Sequence, residues 1–259
     1  MAETIAVLSL KGGTGKTTTV RTLSDVLRRV GLDVLAIDLD PQGNLSDYFD
    51  IPPDASPTIA DVLAGDAKVG AASFDGVVPA SPILAEVERS MSGKMGRELV
   101  LRKALKEARK QHDVILIDCP PALGLLTING LVAADWALVS SEAQYFALQG
   151  VEGALEVVEQ AKEFYNPDLE WLGVVLNIAD MRTTHSRDAY TQLREVFGDK
   201  VFKTVIRASI AYAESAEKAR SILDHRPDLG EDYLALADEL LGRIGLAEAR
   251  SKLQPLRAS

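Results

Sequence analysis

The sequence predicts an α/β fold: a doubly wound, mostly parallel sheet with helices on both faces. Two features carry the prediction. Short β-branched and aliphatic runs alternate with longer stretches in which apolar residues recur at spacings of three and four, the order expected of strands joined by crossover helices. The short runs also lack strict apolar–polar alternation, so they read as strands buried on both faces, as a covered parallel sheet requires.

The first run, "TIAVLSL" (4–10), leads into a glycine-rich turn and a helix over 16–30, and "DVLAID" (33–38) gives the second strand. From about Asp50 to Gly93, "IPPDASPT" and "VPASP" interrupt any regular element, with one short helix in "TIADVLAG". A helix over 96–111 then precedes the strand "DVILID" (113–118), and the strand "DWALVS" (135–140) leads to a helix over 146–165. The strand "LGVVLN" (172–177), a helix over 184–197, the strand "VFKTVI" (201–206) and a helix over 231–244 complete the alternation. There is no internal repeat and no low-complexity linker. At 259 residues the chain reads as one domain over 1–259, with 246–259 expected as a loosely ordered tail.

The formal net charge of -10 argues against a surface coated in basic residues but permits a local patch. A single cysteine, Cys119, excludes an internal disulfide and fits a reducing compartment. No stretch approaches the roughly 18 apolar residues of a membrane span, and "MAETIAVLSL" has no basic leader. The expectation is a soluble, cytoplasmic protein.

Residues 9–20, "SLKGGTGKTTTV", lie between the first strand and the first helix. A phosphate loop needs glycines where backbone N–H groups turn toward oxygens, then a helix whose N-terminus faces the anion. Gly12, Gly13 and Gly15 supply the turn, with Thr14 and Thr18 completing the nucleotide-binding stretch. Lys16 reaches the β- and γ-phosphates, and Thr17 offers a hydroxyl to Mg²⁺. The ordinary spacing G-x-x-x-x-G-K-[ST] asks for glycine at position 10, where Leu10 stands; K-G-G-x-G-K-T fits instead, with an extra lysine, Lys11, at its start. Asp38 and Asp40 sit at the end of the second strand, where ligands gather in open parallel sheets. Asp118 ends "VILID", placed to hold a water of the Mg²⁺ shell.

The K-G-G-x-G-K-T loop is the signature of the deviant Walker A ATPases. Further on, "DLDPQGN" (38–44), "DVILIDCPPALGLLTINGLVAAD" (113–135), "NPDLEWLGVVLN" (166–177) and "FGDKVFKTVI" (197–206) resemble their counterparts in ParA/Soj partition ATPases of the MinD/ParA superfamily. The resemblance covers nearly the whole chain and is weakest over 50–95 and after 245. It implies a P-loop NTPase of the deviant Walker A type, hydrolysing ATP slowly with Mg²⁺ under stimulation by a partner. It also implies a homodimer in the ATP state, in which Lys11 crosses to the other protomer's phosphates and joins Lys16 and Asp40 in catalysis. Asp40 matches the switch I aspartate, which helps position the attacking water and a metal-bound water; Thr17, Asp40 and Asp118 form the metal side. "CPPALG" looks like the switch II loop, with Cys119 a small packed side chain inside it. Asn177 matches a position that meets adenine, and Arg207, standing where many relatives carry proline, joins the nucleotide side.

The same resemblance implies a dimer that binds non-specific DNA (the nucleoid) and moves a cargo through a ParB-like or cargo-adaptor protein that triggers hydrolysis. Between Met181 and Arg226 nine Lys/Arg face six Asp/Glu, a small excess that solvated helix faces also produce. Arg182 matches a DNA-contacting arginine of the family. Arg207, Lys218 and Arg220 are substitutes, because Ala208 and Ala211 stand where arginines are usual. Of three other readings of such a loop, the first two fare worse and the third remains. An iron–sulfur reductase needs more than one cysteine per chain. A MinD-like membrane ATPase needs a basic amphipathic C-terminal helix, whereas "EDYLALADELLGRIGLAEARSKLQPLRAS" opens acidic and is broken by Gly242, Gly245 and Pro255, so no stable membrane association is expected. A non-DNA ATP-dependent scaffold or switch differs mainly in turnover. His112, His185 and His225 show no ligand spacing and suggest no metal beyond Mg²⁺.

Overall fold

The computed structural model describes residues 1–257. Seven strands form one sheet, β1 (Glu3–Leu8), β2 (Val34–Asp38), β3 (Val77–Val78), β4 (Val114–Asp118), β5 (Trp136–Glu142), β6 (Glu170–Ala179) and β7 (Val201–Arg207). All pairings are parallel and the order is β3-β2-β4-β1-β5-β6-β7. The helices are α1 (Lys16–Arg29), α2 (Asn44–Tyr48), α3 (Ile59–Ala64), α4 (Leu84–Met91), α5 (Val100–Ala104), α6 (Ala108–Gln111), α7 (Leu125–Ala133), α8 (Ala147–Phe164), α9 (Thr184–Phe197), α10 (Ala211–Glu217), α11 (Ile222–His225), α12 (Pro227–Arg243), α13 (Ala247–Ser251) and α14 (Leu253–Arg257). None of them is long and apolar enough to cross a membrane.

The missing alternation in the strands has its cause in two separate cores. Ala6, Leu8, Leu35, Ile37, Ile115 and Ile117 face the layer that contains α7 and α8. Their chain neighbours Ile5, Val7, Val34, Ala36, Val114 and Leu116 face the layer that contains α1 and α12. The interior positions of β2 and β4 are therefore apolar on both faces, because each face of the sheet must be covered.

Three parts differ from expectation. The stretch expected as one helix over 96–111 is divided into a 3₁₀ turn at Arg97–Leu99, α5 and α6, with Lys106 N bonded to Lys103 O in a tightened turn. Helix α12 starts four residues earlier than expected, because Pro227 takes the first helical position, where its missing N–H costs nothing. Of the tail expected to be loosely ordered over 246–259, positions 258 and 259 lie outside the described residues, and the rest carries α13 and α14, which pack back on α12 with Ala249 and Leu253 buried; these apolar side chains draw the segment onto the second core.

Candidate functional site

The carboxyl ends of β1, β2 and β4 lie side by side at the centre of the sheet, where the strand order reverses direction around β1. From β1 the chain turns through Gly12–Gly15 into α1, whose N-cap is Gly15 at φ 81, a left-handed conformation open to glycine. No side chain caps this helix and its first turn carries no acid, so its terminal N–H groups and dipole remain available to an anion. Nothing lies within 4 Å of a Cβ built at Gly12 or Gly13, and Lys16 is buried along the same cradle.

The loop is braced from behind by a ladder of hydroxyls and amides. Ser140 Oγ donates to Thr14 O at 2.8 Å, and Asn177 Nδ2 donates to Ser140 Oγ at 2.7 Å. Thr14 Oγ1 donates to Ser9 Oγ at 2.9 Å, whose own hydroxyl donates to Lys11 O at 2.8 Å. A Cβ at Gly15 would sit 3.2 Å from the Asn177 side chain. Asn177, expected to meet adenine, lines the cavity; it is 1% exposed, its Nδ2 is directed at Ser140, and its Oδ1 is buried without a partner. Arg207 lines the cavity as well, with its Nε shared between the two carboxylate oxygens of Asp232 and its Nη2 donating to Asp228 O.

Register places Asp38 beside Asp118 on adjacent strands. Asp38 accepts from Ser46 N and Oγ and from Asp40 N, so it organises the turn after β2. Thr17 Oγ1 donates to Asp118 Oδ2 at 2.7 Å, while Asp118 Oδ1 is buried without a partner. Burial raises both carboxyls, Asp38 to about 6; Asp118, which also feels Asp38, is pushed up to about 8. A buried acid with one unpartnered oxygen next to a threonine hydroxyl suits a cation that would restore its charge. Among the described residues no group of three or more His, Cys, Asp and Glu could hold a metal alone. That donor set fits Mg²⁺, which leans on substrate phosphates, water and one or two carboxylates. Asp40 lines the cavity too, and its Oδ1 accepts from Gln42 N at 3.0 Å in a local turn.

The cavity has a volume of about 660 Å³ and continues from the loop toward Tyr48, Tyr212 and Tyr233. Nothing local in the sequence shows that these three tyrosines meet, because they come from α2, α10 and α12. Lys11 lies outside this cavity; its side chain is 66% exposed and its Nζ donates to Glu142 Oε2 at 2.8 Å. Cys119 is fully buried, its thiol raised by burial. Arg182, Lys218 and Arg220 are exposed, and Arg182 is forked onto Asp180 at 2.9 Å.

A parallel sheet that feeds a glycine loop into an uncapped helix, with a strand-end acid bonded to the loop threonine, defines the P-loop nucleotide hydrolases, here with the second lysine of the deviant class. A family model described as an AAA domain matches residues 2–171. The sporulation initiation inhibitor protein Soj of Bacillus subtilis is 36% identical over 249 residues, covering 93% of this chain and 98% of that protein. The chromosome-partitioning ATPase Soj of Thermus thermophilus is 36% identical over 245 residues, covering 93% and 96%. Among solved structures, a cobyrinic acid a,c-diamide synthase from Mycobacterium smegmatis with bound ADP and magnesium superposes with a TM-score of 0.76 at 35% identity, covering 87% of this chain and 95% of that one. The chain belongs to the Soj/ParA family of the deviant Walker A ATPases.

Proposed function

We propose that this partition-type ATPase uses ATP and Mg²⁺ to close a homodimer that binds DNA without sequence preference, and that a ParB-like or cargo-adaptor protein triggers hydrolysis and release. The observation that carries the reading is the divergence of the two loop lysines. Lys16 is buried in the cradle, whereas Lys11 starts the same loop, stays outside it and is held by Glu142. A lysine so placed serves another molecule's phosphates better than its own.

In this reading the loop N–H groups and Lys16 bind the phosphates, and Thr17 with Asp118 orients the metal side. Mg²⁺, when bound, neutralises charge that builds on the phosphate oxygens. Asp40 orients the attacking water from across the cavity, and Lys11 of the second protomer spreads charge off the departing γ-phosphoryl group. The DNA face is assigned to Arg182, Lys218 and Arg220, with localisation in the cytoplasm on the nucleoid. Arg207 belongs to the nucleotide wall, since it lines the same cavity as Lys16 and Thr17.

Lys16→Ala should abolish nucleotide binding. Lys11→Ala should bind nucleotide normally yet remain monomeric with a slowly hydrolysed ATP analogue. A nucleotide titration followed by sizing checks both, and equal loss of nucleotide binding in the two variants would overturn the trans assignment.

A further inference from the structure

Helix α7 follows directly on the 119–124 loop that leaves Asp118, yet its N-terminus has no local cap. Gly124 occupies the N-cap position with no side chain to offer, and the first turn contains no acid. The missing acceptor arrives from 38 residues away: Glu88 Oε1, on α4, accepts from Leu126 N at 3.2 Å. Leu84 and Met91 are buried on the same side of α4 and aim Glu88 inward. The fit is close, since a Cβ at Gly124 would lie 2.7 Å from Glu88 Oε1. Gly124 has φ -85 and ψ -174, extended backbone that alanine also adopts, so a side chain there would act by pushing the movable end of Glu88 away. Thr127 Oγ1 donates to Ala122 O at 2.6 Å, which ties the loop to the turn that Glu88 caps.

We propose that Glu88 is a positioning residue for ATP hydrolysis: by capping α7 it fixes the 119–124 loop beneath the phosphate site. The proposal rests on reading that loop as the coupling element between nucleotide and turnover. It gives a task to α4, which lies in the part of the chain least legible from sequence. A carboxylate at a helix N-terminus is held by a charge-assisted hydrogen bond and by the dipole, so its loss loosens the first turn selectively.

Glu88→Ala should lower basal ATP turnover about tenfold, with affinity for a fluorescent ATP analogue within about twofold of wild type. Glu88→Gln, whose amide oxygen still accepts, should return turnover to within about threefold. Gly124→Ala should reproduce the Glu88→Ala defect by displacing the carboxylate, and the double variant should be no slower than either single one. Hydrogen exchange at residues 119–126 should quicken in Glu88→Ala. Wild-type turnover in Glu88→Ala, equal loss in Glu88→Ala and Glu88→Gln, or additive losses in the double variant would overturn the positioning role. Unchanged exchange at 119–126 overturns the cap itself, whatever the turnover, whereas an inactive wild type with quickened exchange in the variant would fault the ATPase reading and leave the cap standing.

Discussion

The carboxyls of Asp38 and Asp118 face each other across one strand spacing with little water, and that makes the protein without nucleotide sensitive to pH. An acid raised by folding holds a proton that the unfolded chain has already released. Between about pH 4, where unfolded aspartate titrates, and about 8, the raised position of Asp118, the native state therefore binds more protons. Stability from this pair is full below that window and falls as pH rises through it. Thermal unfolding of the Mg²⁺-free protein should show a midpoint that declines from pH 5 to pH 8, and Asp118→Asn should flatten the decline. An unchanged slope in the variant would place the pH dependence elsewhere. The sequence already named this residue, because a strand-end acid after an aliphatic run is a local pattern. It could not name Glu142 as the holder of Lys11, since that pairing spans 131 residues and depends on β1 lying beside β5.

At the scale of elements, strands buried on both faces were the legible part: β1, β2, β4, β5, β6 and β7 all fall on the six runs, within a few residues. β3 was illegible because two residues pairing at the sheet edge leave no periodic signature. Helices α2 and α4 were hidden for the same reason, being five and eight residues long and flanked by prolines and glycines. The contact of α7 with β4 exposes what such packing demands. A Cβ at Gly130 would lie 2.8 Å from Cys119 Sγ and 3.4 Å from Leu39, so glycine sits in a helix interior at a cost of about 1 kcal/mol against alanine in order to admit the strand-end thiol. Gly130→Ala should destabilise the protein by about 1–3 kcal/mol through overpacking, despite the better helix former. Cys119→Ala in the same chain should restore most of the loss by removing the clashing sulfur. Denaturant melts of the two single variants and the double one measure it, and a neutral Gly130→Ala would mean that the contact relaxes freely.

For the whole molecule the question raised by the proposed function is how an acidic chain would hold DNA. Between Met181 and Arg226 the bases outnumber the acids, but three of the arginines are held by acids that stand just outside that window. Asp180 holds Arg182, Asp232 holds Arg207 and Asp228 holds Arg226, and from Asp180 to Asp232 ten acids meet nine bases. The Arg182 guanidinium in turn holds the Asp180 carboxyl down at about 2, so this acid stays charged at any physiological pH. A DNA phosphate must therefore compete with Asp180 for the arginine, which predicts modest affinity for the monomer and a gain when two such faces are fixed on one dimer. Asp180→Asn keeps the oxygen that accepts from Arg182 N but gives up the charge. It should strengthen binding of the ATP-state dimer to random-sequence duplex. If each freed Arg182 adds one phosphate contact, the log–log salt slope of the dimer should steepen by about 2, since each contact releases about 0.9 counterions. Arg182→Glu should act oppositely, weakening all sequences alike without altering dimerisation. Titrations at two salt concentrations, with ATP and with ADP, check both variants; an unchanged slope in Asp180→Asn would remove Arg182 from the DNA face and leave Lys218 and Arg220 to carry it.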